Sequence, residues 1–429
     1  MRYCLQTFGC QMNKSDSERI AFVLEKMGFK KTPRLGVADL VVINMCSVRQ
    51  SAVDRVYSLI SKISAGQARP KIFLTGCLLP QDRRKLQNKV SFIFNIKDLP
   101  QLPKKIIKNF NLQHKSVLIR DDRKDYLGIK PLYSSCPSAF VPIMTGCDNF
   151  CAYCVVPYLR GREYSRSPLS ILQEIKNLLK KGFKRIILLG QNVNSYHSEK
   201  YSFPKLLRKI SDLPGKFWLS FMTSHPKVLS VELIETVFSS DKICKYFHLP
   251  IQSGSDKILK KMNRGYTVKQ YEKIIQKIKK IGVAISTDII VGFPRETKKD
   301  FNKTASLLKK INYDMAYISK YSPRPLTSAF KLKDDVSSLE KKRRQKKLFK
   351  ILKRIALNNN KKYLNKEVNV LIMGIKGKCL FSETNTFKKV KINICGSLRG
   401  RKIIGKFHRI KITKVSPWGL AGLIVHQSQ

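Results

Sequence analysis

Short apolar runs alternate with stretches of helical periodicity along most of this 429-residue chain. That alternation points to parallel strands joined by crossover helices. In the first part the runs fall at residues 3–8, 40–44, 72–75 and 92–96. Residues 15–27, between the first two runs, put Ile20, Val23, Leu24 and Met27 on one helical face. The reading is a doubly wound α/β domain over residues 1–120. A polar stretch from Arg120 to Lys130, rich in Asp, Arg and Lys, reads as a linker.

A second block, residues 133–363, carries six more strand-like runs at 141–144, 186–189, 217–222, 246–251, 283–291 and 315–321. Helical patterns separate them. One opens with Ser167 as cap and Pro168 at the first helical position, and another with Thr267 and Gln270 as a capping box. A full (β/α)8 cylinder needs eight such units, so six predict a partial (β/α)6 barrel. Residues 341–366 hold twelve basic side chains and no acidic one, with Leu348, Ile351, Leu352 and Ile355 as an apolar stripe, which reads as a basic amphipathic helix. In residues 366–427 the runs become short, β-branched and punctuated by glycine, which predicts a small all-β barrel.

The charge balance is extreme, with 84 Lys and Arg against 29 Asp and Glu for a net +55. Such a surface attracts polyanions, and nucleic acid is the expected partner. The last segment alone has thirteen basic residues against Glu367 and Glu383, which suits a small basic β-barrel that binds RNA. No apolar run reaches 18 residues, and polar residues interrupt the amino-terminal region straight after Cys10, so the expectation is a cytoplasmic protein with no membrane partner.

Eleven cysteines in a reducing compartment are better metal ligands or buried thiols than disulfides. Cys147, Cys151 and Cys154 stand at Cys-x3-Cys-x2-Cys spacing after the first barrel strand. Three thiolates can hold three corners of a cubane iron-sulfur cluster and leave one iron open, whereas structural zinc wants four closed ligands. No fourth Cys or His follows closely, so the spacing favours the cluster. Cys10, Cys46 and Cys77 each end a predicted strand, with separations of 36 and 31 residues, about one βα unit each. Each alone fits a buried core thiol. Their shared register, at the strand ends where open α/β sheets bind ligands, suggests a second three-cysteine centre. Cys4, Cys136, Cys244, Cys379 and Cys395 have no partner at metal-ligand spacing and read as structural.

The segment from Cys147 to Arg162 resembles the cluster loop of radical S-adenosylmethionine enzymes. Residues 7–13 (TFGCQMN), 188–196 (LLGQNVNSY), 248–255 (HLPIQSGS) and 321–325 (YSPRP) resemble the MiaB-type branch of the methylthiotransferases, and the likeness runs along nearly the whole chain. It implies an N-terminal methylthiotransferase domain with its own 4Fe-4S cluster, a radical-SAM barrel, and a C-terminal TRAM domain that binds RNA. On that resemblance the cluster on Cys147, Cys151 and Cys154 binds and reduces S-adenosylmethionine, and the 5′-deoxyadenosyl radical takes hydrogen from carbon 2 of N6-isopentenyladenosine at position 37 of transfer RNA. The cluster on Cys10, Cys46 and Cys77 holds or delivers sulfur, and a second S-adenosylmethionine supplies the methyl group. An electron donor such as flavodoxin or ferredoxin and a sulfur donor are implied partners.

For the adenosyl cofactor the polar residues at strand ends are the candidates: Gln191, Asn192, Ser253 and Asp288. Asn and Ser at such junctions also cap turns. Phe150 and Tyr153 are candidate platforms for an unstacked base, or pack onto the cluster, and Arg160, Arg162 and Arg166 are candidate phosphate contacts. The chain departs from the family pattern at Leu78-Leu79-Pro80 after Cys77 and at Met45 before Cys46. Two other functions compete: a sister methylthiotransferase acting on threonylcarbamoyladenosine or a ribosomal-protein aspartate, and a non-enzymatic RNA-binding protein with structural zinc. Gln11-Met12-Asn13 after Cys10 speaks for the isopentenyladenosine branch.

Overall fold

Side-chain alternation builds the first sheet. Every residue of β3 (Leu40–Cys46) is buried. Leu40 and Val42 join one apolar core, while Val41 and Ile43 join another on the opposite face, as the strand period of two requires. The computed structural model describes residues 1–111, 126–134, 136–280, 282–393 and 403–425. The chain forms two units: Met1–Ser134 with Thr145–Cys147 and Cys154–Arg166, and Ser135–Met144 with Asp148–Tyr153 and Ser167–Gln429.

In the first unit, β1 (Arg2–Thr7), β2 (Lys30–Lys31), β3, β4 (Lys71–Cys77) and β5 (Phe92–Ile93) form a parallel sheet in the order β2-β1-β3-β4-β5. Helices α1 (Gln11–Lys26) and α4 (Leu102–Phe110) supply Ile20, Val23, Leu24 and Ile106 to one core. Helices α2 (Gln50–Ala65) and α3 (Pro80–Leu86) supply Val53, Val56, Ile60 and Leu86 to the other. The sheet is therefore wound on both sides, and its order reverses between β1 and β3, where such folds open a ligand crevice. Helix α1 starts at Gln11 and not at Ser15. Its first turn carries the polar pair Gln11 and Asn13, so apolar periodicity alone starts the helix late. Residues 120–125 of the expected linker lie outside the described residues, but Tyr126, Leu127 and Ile129 are buried in the first core.

Among its described residues the second unit contains six parallel barrel strands whose neighbours follow chain order. Ser138–Pro142, Arg185–Leu189 and Trp218–Phe221 form one sheet, and Tyr246–His248, Ala284–Val291 and Met315–Lys320 another. A parallel bridge between Leu219 and Ile243 continues the series from one to the next. The first strand lies three residues upstream of its expected start, and the Thr267–Gln270 capping box is present. Helix Ser338–Lys361 buries Leu348, Leu352 and Ala356. Two of its basic residues are spent inside, Lys341 on Asp334 and Arg344 on Glu296.

Five strands, Glu367–Lys376, Cys379–Thr384, Lys389–Asn393, Phe407–Ser416 and Gly419–Ile424, close the carboxyl-terminal β-barrel around Val370, Ile372, Leu380, Ile392 and Ile410. This barrel docks against the amino ends of the six parallel strands. Phe387 stacks on Tyr246 at 4.2 Å, Phe407 meets Trp218 edge-on at 5.0 Å, Glu383 pairs with Arg185, and Lys388 reaches Asp314 at 2.7 Å. The opposite, carboxyl ends are left for chemistry.

Candidate functional site

The first unit gathers Cys10, Cys46 and Cys77 at the crevice predicted by its strand order. Cys46 and Cys77 are register partners on adjacent strands, and Cys10 follows β1 as the residue before α1. Two glycines permit the approach. A Cβ on Gly9 would stand 2.7 Å from the Cys46 Cβ, and one on Gly76 would stand 2.3 Å from the Met45 carbonyl oxygen. Both have positive φ, at 134° and 105°, where glycine is favoured. Pro80 begins α3 just after Cys77, with Leu79 fully buried, so the departure at Leu78-Leu79-Pro80 builds an ordinary proline-led helix start.

Asn13, itself fully buried, fastens this arrangement. Its amide donates to the Asn44 side chain at 2.9 Å and the Met45 carbonyl at 3.0 Å, and the Cys10 thiol donates to its Oδ1 at 3.4 Å. Asn44 returns a bond to the Asn13 carbonyl at 2.8 Å. Arg160, at the end of α5 (Val156–Arg160), reaches the same place. Its Nε donates to Cys77 Sγ at 3.3 Å, and its other nitrogens donate to Asp16 at 2.8 Å, the Tyr126 hydroxyl at 3.2 Å and Asn13 at 3.4 Å. Arg160 and Arg166 are each only 4% exposed, so neither faces phosphate as expected from sequence, while Arg162 is exposed. For Arg160 and Arg166 the phosphate expectation is corrected, because density of charge does not reveal which arginine is turned inward.

Burial pushes the Cys77 thiol up to about 11, partly offset by Arg160, and burial together with the Cys10 charge raises Cys46. The three sulfurs therefore sense one another. Cys46 and Cys77 therefore resist ionising, a cost that a cationic iron-sulfur core would offset. The donor set fits such a cluster. Among the described residues no group of three or more His, Cys, Asp or Glu side chains is gathered closely enough to hold a single metal ion.

Cys147, Cys151 and Cys154 lie on one loop whose parts belong to different units. In the first unit, the Cys147 N–H donates to the Gly161 carbonyl at 3.1 Å, and Gly146, with φ of 84°, lies so near Arg162 that a Cβ would fall 1.9 Å from its carbonyl oxygen. In the second unit, Arg264, only 4% exposed, donates to Cys151 Sγ at 3.2 Å, the Tyr153 hydroxyl at 3.3 Å and the Pro250 carbonyl at 2.7 Å. The Ala152 N–H donates to the Met262 carbonyl at 2.9 Å, and the Asn263 amide to the Phe150 carbonyl at 3.1 Å. Phe150 is held at φ of 44°, rare for an aromatic residue. Tyr153 packs with Ala152, Met262, Phe293 and Tyr321.

At the carboxyl ends of the second unit's strands the backbone is strained at two residues, and a few buried polar atoms lack partners among the described residues. Thr223 and Gln252 have φ of 66° and 70°. Among the described residues the buried atoms Ser224 Oγ, His225 Nε2 and Gln252 Oε1 have no hydrogen-bond partner. His225 Nδ1 accepts from the Lys227 N–H at 3.3 Å, so the ring proton sits on Nε2 as a free donor. Burial, with Arg264 and Lys227 adding to it, lowers the His225 pKa to about 3 and keeps the ring neutral. Such groups suit a polar ligand at this end.

The sequence-derived cofactor contacts divide. Asn192 is buried, and its Oδ1 accepts from the His225 N–H at 3.1 Å, while the neighbouring Gln191 is half-buried. Asp288 is half-exposed and meets His248 Nε2 at 3.1 Å, with Ser286 on the other ring nitrogen at 2.7 Å. The Ser253 hydroxyl is fully buried between Thr304 and the Ser255 N–H, which commits it to the turn. Sequence reasoning quoted Asn13 and Gln252 only within motifs, with no contact assigned, and passed over His225 and Arg264; strand-end position marks His225 and Gln252, but no spacing marks Arg264.

Six parallel strands with a three-cysteine loop at their carboxyl side define a radical S-adenosylmethionine enzyme. The model described as the Radical SAM superfamily matches residues 141–308, and that described as uncharacterized protein family UPF0004 matches residues 2–95. A tRNA-2-methylthio-N(6)-dimethylallyladenosine synthase of Thermoanaerobacter pseudethanolicus is 40% identical over 99% of this chain and 92% of its own length. The one from Carboxydothermus hydrogenoformans is 40% identical over 99% of both chains. Among solved structures, the radical S-adenosylmethionine methyltransferase TsrM of Kitasatospora setae shares the fold, with a TM-score of 0.54, 12% identity and 76% of each chain covered. The chain belongs to the radical S-adenosylmethionine methylthiotransferase family. Membership brings a 4Fe-4S cluster and S-adenosylmethionine, and the reading as a non-enzymatic zinc protein falls with it. Among the described residues no helix is long and apolar enough to cross a membrane.

Proposed function

We propose that this chain is a tRNA-2-methylthio-N6-dimethylallyladenosine synthase, which places sulfur on carbon 2 of N6-isopentenyladenosine at position 37 of transfer RNA, with methyl transfer following or accompanying it. The observation that carries this is identity of 40% along 99% of the chain to relatives of that name. Cys147, Cys151 and Cys154 hold the cluster that engages S-adenosylmethionine, and Cys10, Cys46 and Cys77 hold a second 4Fe-4S cluster. Once bound, the first cluster and its cofactor supply radical hydrogen abstraction, and the second supplies sulfur chemistry. Two molecules of S-adenosylmethionine are used per turnover, an electron donor such as flavodoxin or ferredoxin and a sulfur donor act alongside, and the enzyme works in the cytoplasm.

The chain's own residues supply position and polarity. Arg264 fixes Cys151 and Tyr153, and Asn192 orients His225, whose neutral ring offers Nε2–H to the cofactor or base. Gln191, Asn192 and Asp288 remain the proposed contacts for S-adenosylmethionine. Ser253 stands with them by strand-end position, and it acts through the turn it holds. The net charge of +55 supports transfer RNA as the polyanion.

Reconstituted protein, incubated under reducing anaerobic conditions with S-adenosylmethionine, sulfide and transfer RNA bearing N6-isopentenyladenosine, should yield the 2-methylthio nucleoside by mass spectrometry. Thiomethylation of threonylcarbamoyladenosine instead would support the sister enzyme. Iron should fall from about eight atoms per chain to about four in the Cys10, Cys46 and Cys77 triple Ala variant. About four in both proteins would remove the second cluster.

A further inference from the structure

Arg160 is an unusual neighbour for three cysteines. Its guanidinium is 4% exposed, and its Nε–H points at Cys77 Sγ from 3.3 Å. One carboxylate faces it, the fully buried Asp16 at 2.8 Å, and the Tyr126 hydroxyl and Asn13 Oδ1 complete its surroundings. Arginine keeps its charge in proteins, so a fixed positive charge lies against the thiol crevice. The next residue, Gly161, accepts the Cys147 N–H through its carbonyl. The adjacent residues Arg160 and Gly161 thus each touch one residue of a different cysteine trio.

We propose that Arg160 is a positioning residue that sets the reduction potential of the cluster on Cys10, Cys46 and Cys77, by a charge-assisted hydrogen bond to the Cys77 sulfur and a buried positive charge. The inference rests on the reading of that trio as cluster ligands. Reduction adds one electron to a cluster that three thiolates already make negative. Hydrogen bonds to sulfur and a nearby cation favour the reduced form and raise the potential. Asp16 opposes this with a fixed negative charge, and burial leaves both contributions weakly screened. The pair therefore poises the cluster between two values that substitution can reach from either side.

The test is a redox titration followed by electron paramagnetic resonance on the full chain carrying Ala at Cys147, Cys151 and Cys154, which isolates the signal of the cluster on Cys10, Cys46 and Cys77. Arg160→Gln should lower the midpoint, so that at the unsubstituted midpoint the ratio of reduced to oxidised cluster falls at least about tenfold, equivalent to 59 mV for one electron. Arg160→Lys keeps charge without the planar fork and should fall between. Asp16→Asn should raise the midpoint. Opposite shifts distinguish electrostatic poise from a loosened fold, which moves both variants the same way. Unchanged midpoints, or shifts of one sign, overturn the proposal. If Arg160→Gln fails to take up iron, Asp16→Asn decides alone: a rise supports the assignment and no rise overturns it. Absence of iron from the isolating background would instead sink the cluster reading itself.

Discussion

The two cysteine trios reach their places by opposite routes. Cys147, Cys151 and Cys154 are neighbours in the chain, and one loop carries them, held by backbone bonds at Cys147 and Ala152 and by Arg264 on Cys151. Cys10, Cys46 and Cys77 are distant in the chain and meet only because three parallel strands end together, two of them in direct register. A loop can preserve ligand spacing while the rest of a fold relaxes. A sheet cannot, so the second arrangement depends on every contact that fixes strand ends, Gly9, Gly76 and Asn13 among them.

The sharpest separation of the two is chemical. Cys151→Ala should abolish reductive cleavage of S-adenosylmethionine and all product, read as 5′-deoxyadenosine and modified nucleoside. Cys46→Ala should keep the cleavage and lose thiomethylation. If Cys46→Ala lost cleavage to the same extent, the two centres would not be functionally distinct. Asn13→Ala should behave as a weaker Cys46→Ala, with cluster retention reduced about 10–100-fold, the range for removal of a group that orients a ligand.

How each trio could be read follows from the same contrast. The Cys-x3-Cys-x2-Cys spacing is legible because its geometry is local. The strand-end trio is legible only through the βα period, which was strong enough to locate β1, β3 and β4 to within a few residues. What escaped is what the period does not encode. Asn13 stood in the part of α1 without apolar periodicity, Arg160 looked like one of several surface cations, and Tyr126 to Ile129 sat at the end of a polar stretch yet closes the first core. Buried polar partners are chosen by tertiary position, and neither composition nor spacing announces them.

Backbone demands differ between the trios too. Gly76→Ala places a methyl 2.3 Å from the Met45 carbonyl at a φ of 105° and should destabilise the first unit by about 3 kcal/mol, from overpacking and left-handed backbone together. Thermal unfolding of the variant should begin earlier, with Cys46 and Cys77 losing their register. A variant as stable as the parent would show that the strand ends tolerate more freedom than a sheet-built site implies.

The smallest effect lies at the strand ends of the second unit, where His225 is kept neutral mainly by burial and further by Arg264 and Lys227. Its native pKa of about 3 lies below the 6.5 of an unconstrained imidazole. Between these values the unfolded chain binds the extra proton, so stability rises with pH across that window and is lost as pH falls below about 6.5. At about pH 5 the loss amounts to about 2 kcal/mol relative to neutral pH. His225→Gln removes the titration and should narrow the gap between apparent melting temperatures at the two pH values. The substitution keeps an amide donor where Nε2–H stands, so product formation near neutral pH should fall less than it does in Cys46→Ala. An unchanged acid gap would place the source of acid sensitivity elsewhere, and a loss of product as complete as that of Cys46→Ala would make the imidazole ring itself, beyond its free donor, indispensable to the site.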